Sequence, residues 1–297
     1  MKPHYNSSAG RRKKPFAQTL YKTAVCRKPA GKGRAARRSR TLVAVGDVHG
    51  EYDGFLELLR HAGLADARGA WRGGNATLVQ IGDVVDRGPR PFEVQNLLAR
   101  LQREAGRAGG SVVRLLGNHE LELLKGNYAI TTLSKNQIAP FTEALRTAVH
   151  DGRIAAALSR QGYLFTHAGL TAGLQEIFSA GGTAGEDALA AEINSIFINA
   201  VEKNDYSHPI FYVGSSRGGP HRFGGIFWED IEDLFYSENP LRLKQVVGHT
   251  PLREVSVSDD GNIIAVDVGV YVGYGGGRGY LKLRAGKPEI VNLRPAS

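Results

Sequence analysis

One cysteine, Cys26, serves the whole 297-residue chain, so no disulfide can form within it and a reducing compartment suits it. No apolar run approaches the roughly 20 residues that cross a bilayer, and the start lacks the apolar stretch of a secretory signal. Residues 1–40 contain no Asp or Glu at all, against 13 Lys/Arg. The 25 Lys/Arg and 29 Asp/Glu that remain leave residues 41–297 at −4, so the formal charge of +9 belongs to the first forty residues. These absences exclude an internal disulfide framework and leave no segment that reads as a membrane-spanning helix. They divide the chain into a basic extension, 1–40, and a mildly acidic body, 41–297, long enough to bury a sizeable α/β core. The extension is rich in Arg, Lys, Ala and Ser and reads first as solvated and disordered. Contact with nucleic acid or another polyanion is a second reading, and an organelle transit peptide a third. The expected location is cytoplasmic, with organelle targeting by the extension as the alternative.

The body carries five short motifs in fixed order: Gly46-Asp47-Val48-His49-Gly50, Gly82-Asp83-Val84-Val85-Asp86-Arg87-Gly88, Gly117-Asn118-His119-Glu120, His167-Ala168-Gly169 and Gly248-His249-Thr250. Each sets a carboxylate, imidazole or amide oxygen beside a glycine, and each follows a short β-rich run: Leu42 to Val45, Thr77 to Ile81, Val112 to Leu116, Tyr163 to Thr166 and Gln245 to Val247. Ligand sites of α/β sheets gather at the carboxyl ends of strands, so the five motifs can converge on one edge. Phe55, Leu58 and Leu59 give one helical face, and Val94, Leu97, Leu98 and Leu101 another, entered through Pro89 and Pro91. A long helical region is expected from Glu120 to about Arg160, then helix and loop to about Lys203, so that residues 121–203 read as a helical cover. Asp259-Asp260-Gly261 reads as a hairpin turn between Val255–Ser258 and Asn262–Val266. Gly273 to Gly279 reads as a flexible turn before a last strand, Tyr280 to Leu283; without Gly-Lys-Ser/Thr it is no nucleotide-binding loop.

Asp47 and His49, at i and i+2 on leaving a strand, can point the same way toward one ion. The Asp83 carboxylate can bridge two ions, and Asn118, His167 and His249 offer an amide oxygen and two imidazoles to the second. A mixed O/N donor set without thiolate suits Mn, Fe or Zn better than a structural zinc or a calcium site. Two such ions roughly 3.5–4 Å apart would activate a bridging water and clamp phosphoryl oxygens during in-line displacement.

The five motifs closely resemble those of the calcineurin-like metallophosphoesterases, in the phosphoprotein phosphatase family, from about Leu42 to Gly269. The resemblance implies a four-layer α/β/β/α sandwich with two central mixed sheets. It assigns Asp47, His49 and Asp83 to one metal, and Asp83, Asn118, His167 and His249 to the other. His119 becomes the proton donor, oriented by Asp86. Arg87, with Asn118, holds the phosphate, and Arg217 in Ser215-Ser216-Arg217-Gly218-Gly219 is the candidate for a second phosphate-binding arginine, ahead of Arg222. His167-Ala168-Gly169 and the Gly248-His249-Thr250-Pro251 … Asp267-Val268-Gly269 ending resemble the bacterial-type branch. That branch includes protein phosphatases and symmetrical diadenosine tetraphosphate hydrolases; the latter have a small residue where Asp86 stands.

A lone Gly-Asp is usually a turn, and a lone His beside Gly is usually a loop residue. Four of the nine histidines at motif positions in order make coincidence remote. His61, His150, His208 and His221 read as surface or loop, Trp228 as a core or rim aromatic, and Tyr271 and Tyr274 as equally placed inside or outside the cleft. The expected function is a two-metal phosphomonoesterase, with Mn first and Fe or Zn as alternatives, and first of all a protein phosphatase, its substrate a phosphoprotein or a small phosphate ester. A nucleotide or diadenosine tetraphosphate hydrolase is the alternative, and a non-catalytic phosphatase-like scaffold a remote third, since no ligand is lost.

Overall fold

The computed structural model describes residues 41–293. The basic extension, Cys26 and the readings attached to them lie outside the described residues. Short runs rich in Val, Leu and Ile form β1 (Leu42–Val45), β2 (Thr77–Gln80), β3 (Ser111–Leu115), β6 (Tyr163–Thr166), β7 (Gln245–Val247) and β9 (Ile263–Ala265), the frame on which every motif is hung. Continuous burial of β1, β2, β6, β7 and β9 explains why their sequences do not alternate: both faces are covered. One sheet runs β11 (Lys287–Asn292)-β10 (Gly279–Arg284)-β1-β2-β3-β4 (Ile154–Ala155) and the other β5 (Ala157–Arg160)-β6-β7-β9-β8 (Ser256–Val257). Both are mixed. β1 to β4 are mutually parallel with antiparallel β10 (Gly279–Arg284) at their edge, and β6, β7 and β9 are parallel between antiparallel β5 (Ala157–Arg160) and β8 (Ser256–Val257).

One hydrophobic core holds residues of both sheets together with α1 (Tyr52–His61) and α2 (Pro91–Arg107), which bury Phe55, Leu58 and Leu59, and Val94, Leu97, Leu98 and Leu101, as their periodicity predicts. A second core packs Ile154, Ala157 and Leu164 against α3 (Asn118–Lys125), α4 (Lys135–His150), α5 (Ala172–Ala180) and α6 (Glu186–Lys203). Helices outside and two mixed sheets between them are the expected architecture. Phe165, fully buried in the first core, illustrates its energetics: truncation to alanine would cost about 3–5 kcal/mol.

The segment 121–203 is not a helical cover throughout. Helix stops at His150, and β4 (Ile154–Ala155), β5 and β6 follow before α5. Ile154 to Arg160 are apolar enough to complete both sheets, and sheet pairing overrides their helix-compatible composition. The Asp259-Asp260-Gly261 hairpin forms as expected, antiparallel between β8 and β9. The terminal strand has a second arm, β11 (Lys287–Asn292), returned through Ala285 and Gly286, both at positive φ. Its Lys, Pro and Glu disguise it in sequence and suit an exposed edge. No helix among the described residues is long and apolar enough to cross a membrane.

Candidate metal centre

All five motifs begin where a parallel strand ends, and hydrogen bonds tie their loops together. Val48 and His49 donate their backbone N–H groups to Asp83 O at 3.0 and 2.8 Å, and Gly50 donates to Val84 O at 2.8 Å. Glu120 provides the central tie. Its carboxylate accepts from the backbone N–H of Asp83, Val84, Val85 and Gly117 at 2.8–3.0 Å, binding the second motif to the third. The loops are strained. His49, Asp83, Asp86, Arg87 and His249 are five of the nine described non-glycine residues with positive φ, a costly conformation kept where surrounding bonds enforce it. Glycines allow the carboxylates in: a Cβ on Gly117 would collide with Asp83 Oδ1, and one on Gly248 with Asp47 Oδ1.

One donor group comprises Asp83, His167 and His249, whose ligand atoms lie within 4.8 Å of one another, and Asn118 stands among them. Asn118 Oδ1 is 3.0 Å from His167 Nε2 and 3.0 Å from His249 Nδ1, and His167 Nε2 is 3.7 Å from Asp83 Oδ1. His167 Nδ1 donates to Ile81 O at 3.0 Å, and burial lowers the imidazole pKa to about 3. The ring is therefore neutral with its proton on Nδ1, so Nε2 turns a lone pair toward the lone pairs of Asn118 Oδ1. Two acceptors aimed at each other at this distance repel unless a cation lies between them. The spacing is that of two donors at right angles around an ion with bonds of about 2.1 Å.

The other donor group is His49, Asp83 and His119. His49 donates from Nδ1 to Val85 O at 3.0 Å, which leaves Nε2 as the free ligand atom, 3.5 Å from Asp83 Oδ2. Burial, then the neighbouring His119, lowers His49 to about 3. Asp83 belongs to both groups. Burial pushes its carboxyl up to about 8, against the pull of His119 and with the help of Glu120. Asp47 is also raised by burial and by Asp267 and Asp83. These carboxylates are fit to receive a cation.

The expected extended geometry for Asp47 and His49 does not occur. β1 ends at Val45 and His49 turns at φ 47°, so the two side chains are set by the loop, not by strand alternation. Asp47 Oδ1 accepts from His249 N at 3.2 Å, 4.0 Å from His167 Nδ1, while the buried Oδ2 has no protein partner. Asp47 joins neither three-residue group, and its open oxygen is what makes it a candidate ligand.

His119 Nδ1 lies 2.6 Å from Asp86 Oδ2, and its Nε2 is 3.9 Å from Asp83 Oδ2. Burial works against the charged ring, but Asp83 and Asp86 outweigh it and raise the pKa. Arg87 is exposed on the same turn. Arg217 reaches the site from another segment: its guanidinium bonds Thr250 Oγ1, lies 3.0 Å from Asp230 Oδ2, and adds its charge to the burial that chiefly lowers the pKa of His167 and His249. Trp228 stands edge-on to His249 at 5.8 Å, and Tyr274 edge-on to His49 at 5.7 Å, so both are rim aromatics. His221 is stacked on Tyr212 instead, and Arg222 is exposed.

Glu120 as the tie, Thr131 and Thr132 beside Asp86, and the buried carboxyl of Asp267, which burial raises to about 7, have roles at the site that the motifs do not spell out. Glu120 had one local signal, its place three residues after the helix cap Gly117. Thr131 and Thr132, 45 and 46 residues from Asp86, had none.

Residues 40–275 match the model of a family described as calcineurin-like phosphoesterase. The chain is 42% identical over 91 residues to Shewanella-like protein phosphatase 2 of Arabidopsis thaliana, a match covering 31% of this chain but only 23% of that protein. It is 31% identical over 269 residues to an uncharacterised protein of Schizosaccharomyces pombe, covering 84% of this chain and 78% of the other. The solved cold-active protein-tyrosine phosphatase of a psychrophilic Shewanella species has a similar fold, with a TM-score of 0.63 at 23% identity over 85% of this chain and 80% of that one.

Proposed function

From the premise that the chain belongs to the calcineurin-like phosphoesterase family, we propose that it is a metal-dependent phosphoric monoester hydrolase acting on phosphoproteins. The observation that carries this reading is the neutral His167 Nε2 facing Asn118 Oδ1 at 3.0 Å, within reach of His249 Nδ1 and Asp83. That arrangement favours a cation between the two atoms. Asp83, shared by both donor groups, supports two ions. Asp47, His49 and Asp83 would hold one, and Asp83, Asn118, His167 and His249 the other, with Mn first and Fe or Zn as alternatives by donor type. When bound, the ions supply Lewis acidity to the phosphoryl oxygens and make the attacking water acidic.

The remaining steps belong to the side chains. Asp86 holds the Nδ1 proton of His119, which leaves the Nε2 proton for the departing ester oxygen. Arg87, exposed on its turn, would hold the phosphate together with Asn118, and Arg217, from the segment after α6, is the candidate second arginine. An acid so firmly oriented serves an alkoxide leaving group, which favours phosphoserine and phosphothreonine esters over anhydrides. The Arabidopsis relative bears a protein phosphatase name, which agrees with this substrate class.

The test is a side-by-side assay of the chelated and Mn²⁺-reconstituted protein on phosphoserine, phosphothreonine and phosphotyrosine peptides, an aryl phosphate and diadenosine tetraphosphate. Peptide and aryl ester turnover, lost on chelation and restored by Mn²⁺, is expected. Preferred cleavage of the tetraphosphate, or full activity in demonstrably metal-free protein, would overturn the reading.

A further inference from the structure

The loop between α3 and α4 contributes no motif, yet it reaches the acid. Asp86 is fully buried, and while Oδ2 faces His119, Oδ1 accepts from Thr131 Oγ1 at 2.6 Å, from Thr132 N at 2.8 Å and from Thr132 Oγ1 at 3.4 Å. The Thr132 hydroxyl also accepts from Arg87 N at 3.1 Å, which a group with one proton and two lone pairs can do while donating to Asp86. Asp86 and Arg87 both lie at positive φ, 68° and 67°, a conformation that two adjacent non-glycine residues keep only when bonded from outside. The loop is itself anchored. Asn127 Nδ2 donates to Glu122 at its start, and Ser134 and Gln137 close a capping box at its end.

We propose that Thr131 and Thr132 are positioning residues: Thr131 fixes which oxygen of Asp86 meets His119, and Thr132 ties that carboxylate to the backbone that aims Arg87. The inference rests on the phosphomonoesterase reading above. It adds that proton donation and phosphate grip are coupled through one hydroxyl, so that a change in this loop alters both.

The test is steady-state kinetics of Thr131→Val and Thr132→Val on a phosphoserine peptide and on p-nitrophenyl phosphate, with bound metal and thermal midpoint measured in each. Misorientation of an acid costs most where the leaving group needs a proton. Thr131→Val should lower kcat about tenfold on the peptide and much less on the nitrophenyl ester. Thr132→Val should raise KM on both substrates, because Arg87 loses its backbone support, and should also lower kcat on the peptide more than on the nitrophenyl ester, because Asp86 loses the same hydroxyl. Thr131→Ser and Thr132→Ser, which keep the hydroxyls, should restore the wild-type values. Wild-type kinetics in both valine variants would overturn the inference, as would equal kcat losses on the two esters that serine does not rescue. A wild-type protein inert on both esters overturns the functional reading and this inference with it. Wild-type turnover with indifferent variants overturns this inference alone.

Discussion

His119 and Asp86 are joined at 2.6 Å through Nδ1 and Oδ2, in a pair where each raises the charge of the other. Burial disfavours both ions, yet the hydrogen bonds from His119, Thr131 and Thr132 lower Asp86, and Asp83 with Asp86 raises His119. A protonated imidazole held this way has a use when the leaving oxygen is a poor one.

His119→Gln should therefore slow hydrolysis of a phosphoserine peptide by roughly 10²–10⁴-fold, the usual contribution of a positioned general acid. The same variant should slow p-nitrophenyl phosphate far less, since nitrophenolate leaves without a proton. Asp86→Asn should share the bias more mildly. Metal content must be measured alongside, because Nε2 lies near Asp83. Equal losses on both esters in metal-replete variants would remove the general-acid role.

Glu120→Gln should cost at least about 2 kcal/mol of stability, because a charged acceptor of four backbone N–H groups is replaced by an amide that presents a donor to some of them. The loss should be accompanied by weaker metal binding, since the turn bearing Asp83 is released. Denaturant unfolding of the metal-free and metal-loaded variant checks both. Unchanged stability would mean that the loops are held by something other than this carboxylate.

The buried groups give the metal-free protein a definite pH response. Asp83 and Asp267, held at about 8 and about 7 by burial, bind protons more tightly folded than unfolded. Their stabilising contribution is complete below the ordinary carboxylate range and is lost as pH rises through 7 and 8. His119, raised, acts in the same direction above about pH 6.5. His49 and His167, lowered to about 3, act oppositely: their contribution is complete above about pH 6.5 and is lost as pH falls. From pH 6.5 to 8 only the declining contributions change, so the thermal midpoint of chelated protein should fall across that window. Bound metal replaces those protons, and the loaded protein should show a flat or rising midpoint. A midpoint that rises with pH in chelated protein would contradict the assignment.

Much of this was legible in the sequence because the chemistry sits at strand ends, where a run such as Leu42–Val45 or Tyr163–Thr166 announces itself and the next residues form the turn. The helices with apolar stripes, α1 and α2, were equally plain. What escaped has physical reasons. β4 and β5 are short and apolar, and pairing partners decide their state; β11 carries the charges and proline of an edge strand. The positive φ of His49 and Asp83 comes from hydrogen bonds between loops, which no local pattern encodes, so strand alternation misled for Asp47 and His49. Thr131 and Thr132 meet Asp86 through the loop between α3 and α4, in contacts spanning 45 and 46 residues of sequence that no local pattern encodes.

Sharing of the Asp83 carboxylate between two ions, as we propose, is tested most directly by anomalous diffraction from crystals grown with Mn²⁺. Two manganese peaks flanking the Asp83 carboxylate are predicted, one beside His49 and one beside Asn118, His167 and His249, with both occupancies reduced in Asp83→Asn. A single peak, or two peaks of which only one contacts Asp83, would contradict it.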